Sequence, residues 1–448
     1  MPNTSYWLNK ASFSLINRFI IFFFGFAAYF VLVRVLDKSD FGIYTLYTII
    51  ITFVEMSRNA FIQNGFVKYF LDKNYNKKDI ISSSIWLNTT LTIVTTFALY
   101  LLADYIGHTY DSKVLSRMIR LYCLFSLCMV PYSQVMYYYS ALVNFKILSV
   151  LSFIRYGSYF VLILGAILFD KSIDLMDVAT LQVASIFLGG FFSIFYLMRI
   201  EFLSFSFSAK VIKELLNFGK YTFGVGLTSL LTRSVDQLMI GYFISAEAVA
   251  SYNVAGRFMN FIEIPIASLS QVLYPRFAET ANHPEPQLAR ARLFEKSSGT
   301  ILAAITPFVL MIFILPSFFI SIVAGQKYLD AVPILQIFML LNLLKPFSTQ
   351  AGSVLEVSGK PKVGFYALLT STGINIVLNY YFIQMDNSFG GILGAAIASV
   401  ISGASFVMIA LLAINRESPF SVTNTFEQFL NAYRIGFNFL TNQIKAKL

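Results

Sequence analysis

The sequence predicts an all-α membrane protein of about twelve transmembrane helices in two six-helix bundles. Three observations predict it. Of the 448 residues 57% are hydrophobic and only 12% charged, with a mean hydropathy of +0.69, far from a soluble globular average. The apolar runs recur at about 20 residues, the length a helix needs to cross a hydrocarbon core of about 30 Å. Finally, parts of the first half align with parts of the second at a nearly constant offset.

The spans fall at about 11–34, 42–66, 81–103, 118–141, 147–169, 178–198, 217–244, 250–273, 298–323, 332–357, 362–384 and 391–414. The first carries Arg18 and follows no removable signal peptide: a charged region, a short apolar core and a small-residue cleavage site do not occur there in order. In the second, Glu55, Asn59 and Gln63 recur every four residues with Arg58 beside them, which places them on one face. The fourth holds Cys123 and Cys128, whose spacing suits neither a disulfide nor a metal site. It also holds Pro131, which removes a backbone hydrogen bond mid-span and predicts a hinge. Its end, "MYYYSALVNF", offers Tyr137, Tyr138 and Tyr139 either to an interfacial aromatic belt, the favoured reading, or to stacking on sugar rings.

Arg155 lies in the fifth span, and the seventh contains "LTRSVDQLMIG", with Arg233 and Asp236 in an otherwise apolar run. The eighth shows Asn253, Arg257, Asn260 and Glu263 on a broad face, and the tenth Asn342, Lys345, Thr349, Ser353 and Glu356, with Pro346 as a second predicted hinge. Beyond the last span, Phe426, Leu430, Tyr433, Phe437, Leu440 and Ile444 alternate at four and three residues. That amphipathic pattern predicts a tail helix on the inner leaflet with Lys445 and Lys447 near anionic head groups, or else a partner-docking helix.

Domains follow from these spans: an N-terminal bundle at 1–200, a cytoplasmic linker at 201–216, a C-terminal bundle at 217–415 and a cytoplasmic tail at 416–448. An N-terminus inside the cell puts about 20 Lys and Arg on the cytoplasmic side and about 7 outside. The net charge of +10 then needs no nucleic acid to explain it. At an offset of 208, "FGIYTLYTIIITFVEM" falls on "VASYNVAGRFMNFIEI", pairing Tyr44 with Tyr252, Phe53 with Phe261 and Glu55 with Glu263; at 215, "PYS" falls on "PFS". Six spans per half keep equivalent helices pointing the same way, so the expected pseudo-twofold axis runs along the membrane normal, with a substrate site between the halves.

Nine charges at membrane depth, Arg18, Arg58, Arg155, Arg233, Arg257, Lys345, Glu55, Asp236 and Glu263, would cost on the order of 25 kcal/mol if they all faced lipid. They therefore face one another or a wet cavity. One reading pairs Arg233 with Asp236 and Glu55 with Arg58 at i,i+3 as static locks. The other uses the surplus of cations to hold an anion, for which the planar guanidinium is the better phosphate clamp. "SGKPK" lacks the glycine and strand context of a phosphate loop, and Asp37 and Asp40 stand at DxxD spacing rather than DxD. His108 and His283 are isolated, so neither an enzyme nor a metal or other cofactor is expected.

"RVLDKSDFGIYTL", following "NKASFSLINRFIIFFFGF", and then "RSVDQLMIGYFISAEAVASYNVAGR" with Tyr274 and Pro275, resemble the Wzx-type lipid-linked oligosaccharide flippases of the multidrug/oligosaccharidyl-lipid/polysaccharide superfamily. The resemblance spans most of the chain. It implies a MATE-like V of two six-helix bundles with a cationic lumen, and alternating-access transport of a polyprenyl-pyrophosphate-linked oligosaccharide, such as an O-antigen or capsule repeat unit, across the bacterial inner membrane. Arg18, Arg58 and Arg257 match positions of lumenal arginines in related lipid flippases. Arg155, Arg233 and Lys345 join them as expected substrate contacts, with Glu55, Asp236 and Glu263 as coupling or charge-balancing groups for a proton or sodium ion. Membrane lipids and other polysaccharide-assembly proteins are the expected partners. The rivals are a cation-coupled exporter of small molecules with this fold, and a membrane-embedded glycan polymerase or transferase.

Overall fold

Each of those apolar stretches is helical, because in hydrocarbon a single segment can satisfy its own N–H and C=O groups only by coiling on itself. The computed structural model of the protein describes the backbone of residues 4–169, 172–200, 206–385 and 389–445, and the side chains of these between 13 and 435. Part of the expected linker, 201–205, lies outside the described residues, as does Lys447; the side chains of Phe437, Leu440, Ile444 and Lys445 do too.

The chain divides into two compact units. The first, Met1–Leu230 with Ser245–Glu247, contains α1 (Thr4–Val35), α2 (Lys38–Leu71), α3 (Lys77–Thr109), α4 (Lys113–Phe125), α5 (Met129–Ala141), α6 (Phe145–Ser152), α7 (Ser158–Leu168), α8 (Leu175–Leu197) and the start of α9 (Ala209–Phe243). The second, Leu231–Ile244 with Ala248–Leu448, contains the end of α9, nearly all of α10 (Ala246–Glu279), then α11 (Pro286–Ile314), α12 (Pro316–Val323), α13 (Val332–Asn342), α14 (Lys345–Val357), α15 (Pro361–Ile383), α16 (Gly391–Glu417) and α17 (Val422–Lys445).

Among the described residues, eight helices or broken helices are long and apolar enough to cross a membrane, which makes this a multi-pass membrane protein. The long helices α2, α9, α10 and α15 fall short of that measure. The first three carry six of the nine depth charges, all but Arg18 on α1, Arg155 and Lys345.

Both expected hinge prolines mark real interruptions. Pro131 has no N–H to offer the carbonyl of Leu127, and the helix tightens into a 3₁₀ turn at Ser126–Cys128 before α5 begins. Pro346 stands in the same relation to Asn342, the last residue of α13, and α14 starts afresh at Lys345.

In the first unit, the early part of α9 packs closely on α2. A Cβ on Gly219 would stand 2.3 Å from the Phe61 carbonyl oxygen, so only a residue with no side chain fits. Phe61 and Phe223 stack with ring centroids 4.7 Å apart, and Thr222 donates to the Ala60 carbonyl. Tyr75, on the turn before α3, donates to Glu214, and that bond pushes its phenol up to about 12.

The core of the second unit gathers Phe277, Phe294, Ala351, Val354, Leu355, Ala410 and Ile414. Onto it docks one face of α17. Buried Glu295 accepts from the Ser421 N–H at 2.6 Å and from the Asn424 amide. Gly299 lets the α17 backbone in, since a Cβ there would meet the Thr425 carbonyl at 2.5 Å. Tyr433 donates to the Ala303 carbonyl at 2.8 Å. Phe426 and Leu430 of the expected stripe stay exposed beside this seam.

Candidate functional site

Each unit buries or pairs some of the depth charges among its own helices. In the first, Arg155 sits within a five-residue π turn, Phe153–Gly157, that joins α6 to α7. Such a turn carries one extra residue and re-aims its side chains. Arg155 Nη2 donates to both Glu55 oxygens at 3.0 Å, and its guanidinium lies 5.0 Å from the centre of the Tyr132 ring and 5.2 Å from that of Tyr156, close enough for cation–π attraction. Gly189 on α8 leaves room for the arginine stem, whose Cβ would be 3.3 Å from a Cβ at that position. Tyr122 adds a long hydrogen bond of 3.4 Å to Glu55.

Glu55 is thus paired with Arg155 from another helix, and the alternative in which Glu55 neutralises Arg58 on its own helix is incorrect. The i,i+3 spacing brings two side chains onto neighbouring positions, but the π turn delivers a better aligned partner. Arg58 is left 3% exposed, with Nη1 donating to Thr92 at 3.2 Å and with Nε and Nη2 unpartnered. Next to it Tyr137 donates to Asn59 at 2.6 Å. Tyr137, Tyr138 and Tyr139 are all buried, which overturns both the interfacial belt and the sugar platform. They pack against Phe66, Phe70 and Tyr196 instead.

In the second unit Asp236, on α9, is 7% exposed. Its Oδ2 accepts from Tyr252 and from Ser399, both at 2.6 Å, and its Oδ1 from Asn379 at 2.5 Å. Helices α10, α15 and α16 each supply one neutral donor. Arg233 is exposed and makes no ion pair with Asp236, so the second static lock is also incorrect. Nearby, Asn253 donates to Gln237 at 2.8 Å. Lys345 pairs with Glu263. Glu55 and Glu263, which the offset of 208 aligns, therefore each hold a cation from another helix of their own unit.

The structure thus unites Glu55 with Arg155 and Glu263 with Lys345, buries Arg58 and Asp236 with no ion pair among the described residues, and leaves Arg18, Arg233 and Arg257 exposed. Sequence reasoning missed Thr92, Tyr122, Tyr132, Asn379 and Ser399. A signal existed for one: Asn375 and Asn379 stand four apart in an apolar run, both buried, and Asn379 donates to Asn375 at 3.1 Å.

A family model of polysaccharide biosynthesis proteins matches residues 31–333. The teichuronic acid biosynthesis protein TuaB of Bacillus subtilis is 29% identical over 167 residues, 36% of this chain; the match spans 33% of that relative's length. The lipopolysaccharide biosynthesis protein WzxC of Escherichia coli is 23% identical over 421 residues, 90% of this chain and 80% of WzxC. The fold is similar to that of the lipid II flippase MurJ, solved in an inward closed conformation, with a TM-score of 0.77 at 16% identity over 96% of this chain and 93% of that one. With the model matching well over half its length, this chain belongs to the polysaccharide biosynthesis protein family.

Proposed function

We propose that the protein is a flippase, not an enzyme, and that it carries a polyprenyl-pyrophosphate-linked oligosaccharide across the bacterial inner membrane by alternating access, with both termini in the cytoplasm. The observation that carries this reading is Arg58. A buried guanidinium at membrane depth that forms no ion pair among the described residues and keeps two unpartnered nitrogens is costly in the resting protein. Its fork of parallel donors suits a phosphate oxygen pair. Arg18, Arg233 and Arg257 are exposed cations that supply further attraction. The names and fold of the relatives agree with a lipid-linked sugar as cargo.

Asp236 is the proposed coupling group. Three neutral donors hold it, and each can reverse its role: the Tyr252 and Ser399 hydroxyls accept as well as donate, and Asn379 has an unpartnered Oδ1 to turn inward. A proton or a sodium ion fits that site, and the same feature supports the rival reading of a cation-coupled exporter.

Deleting the gene should make lipid-linked oligosaccharide accumulate on the inner leaflet. Wild-type protein should clear it, and Arg58→Ala at equal abundance should not. Asp236→Asn should abolish the dependence of flipping on the ion gradient. Clearance by Arg58→Ala at the wild-type rate would remove that arginine from the mechanism, and a deletion strain altered only in drug sensitivity would favour the exporter.

A further inference from the structure

Helix α4 carries a second cationic feature that the transport reading does not use. Its buried face is Leu115, Ser116, Met118, Ile119, Tyr122 and Cys123. Its outer stripe runs Lys113, Arg117, Arg120, Leu124 and then Leu127 just beyond the helix, spaced by four, three, four and three residues, which is one line along a helix. Lys113 and Arg117 are exposed and have no acidic partner among the described residues. Arg120 is offset by Asp104 and lies 5.4 Å from the centre of the Tyr100 ring. Asp111, exposed on the preceding turn, pairs with none of them.

The stripe then changes character, with Leu124 70% and Leu127 48% exposed. Beside it α3 exposes Leu101, Leu102 and Tyr105. The two helices form a firm platform, since Ser116 donates to the Ala103 carbonyl at 2.9 Å. From Lys113 to Arg120 the helix rises about 10 Å, comparable with the polar zone at one side of a bilayer. From there on the stripe is lipid-like.

We propose that this stripe is a binding site for an anionic phospholipid, with the phosphate held by Lys113 and Arg117 and the acyl chains laid along Leu124, Leu127 and Leu101. Charge complementarity selects an anion, and the switch from cationic to apolar along one line selects an amphiphile over a soluble anion or a folded protein. In the orientation proposed above these cations stand on the outer side, where Lys and Arg are otherwise scarce. A bound lipid phosphate accounts for their placement there.

The test uses the full-length protein in a zwitterionic detergent, with lipid retention followed by native mass spectrometry. Wild-type protein should retain phosphatidylglycerol in preference to phosphatidylcholine, and Lys113→Glu with Arg117→Glu should weaken that retention about tenfold or more. Lys113→Arg with Arg117→Lys keeps the charge and should retain the lipid, which separates loss of the site from loss of the fold. Equal retention of the two lipids by the wild type, or unchanged retention by the double glutamate variant, overturns the proposal. So does displacement of the lipid by millimolar inorganic phosphate, which marks a free-anion site. A co-purifying protein lost on the same charge reversals marks a protein interface, which overturns it as well.

Discussion

At the scale of residues, the two arginines nearest Glu55 differ in what they do for stability, and this separates structure from function. Arg155 is a strut: both Glu55 oxygens accept from it, and side-chain exposures of 14% and 17% leave little water to replace either partner. Glu55→Gln should therefore cost about 3–5 kcal/mol, the typical result of leaving a buried charge alone. Glu55→Met with Arg155→Met should cost far less, which thermal unfolding in detergent will read. Arg58 should behave in the opposite way. Arg58→Met removes an uncompensated charge and should raise the unfolding midpoint while abolishing transport. A fall in both would make Arg58 another strut. That charges at this depth must be satisfied was legible from the cost of exposing them to lipid. Their pairing was not, because spacing along one helix cannot reveal a π turn in another.

At the scale of elements, the interruptions before Pro131 and Pro346 were legible because proline removes a specific hydrogen bond. The docking of α17 was not, since the stripe of Phe426 and Leu430 pointed to lipid while the seam uses Thr425, Gly299 and the carboxylate of Glu295. Small residues of this kind lack the hydrophobic pattern that sequence reasoning follows, and they decide how close two helices come. The same holds for α2 against α9. A Cβ on Gly226 would lie 3.7 Å from that of Ala60, close to the mean of about 3.8 Å for a disulfide. With Cys123 and Cys128 replaced by serine, Ala60→Cys with Gly226→Cys should cross-link on mild oxidation. If transport requires α2 and α9 to part, the bridge should stop it and a reductant should restore it. Full activity of the cross-linked protein would show that this seam stays closed throughout the cycle.

At the scale of the whole molecule, hydropathy made the membrane class plain because a bilayer penalises every exposed polar group over about 20 residues at once. The helices that fall below the apolar measure are instructive: α2, α9 and α10 hold most of the depth charges, and a chain that needed only to span would not carry them. Orientation rests on the distribution of Lys and Arg, which acts during insertion and so leaves its record in the sequence. In the proposed orientation the turn before α3, with Lys73, Lys77 and Lys78 around it, lies inside, and the turn before α4, at Asp111, lies outside. In the background lacking Cys123 and Cys128, Asn74→Cys should react with an impermeant thiol reagent in inverted membrane vesicles and resist it in intact spheroplasts. Asp111→Cys should do the reverse. The opposite pattern would place both termini outside and move Lys113 and Arg117 to the inner leaflet. Their lipid would then lie on the cytoplasmic face, where basic residues are common, and their position would call for no special account.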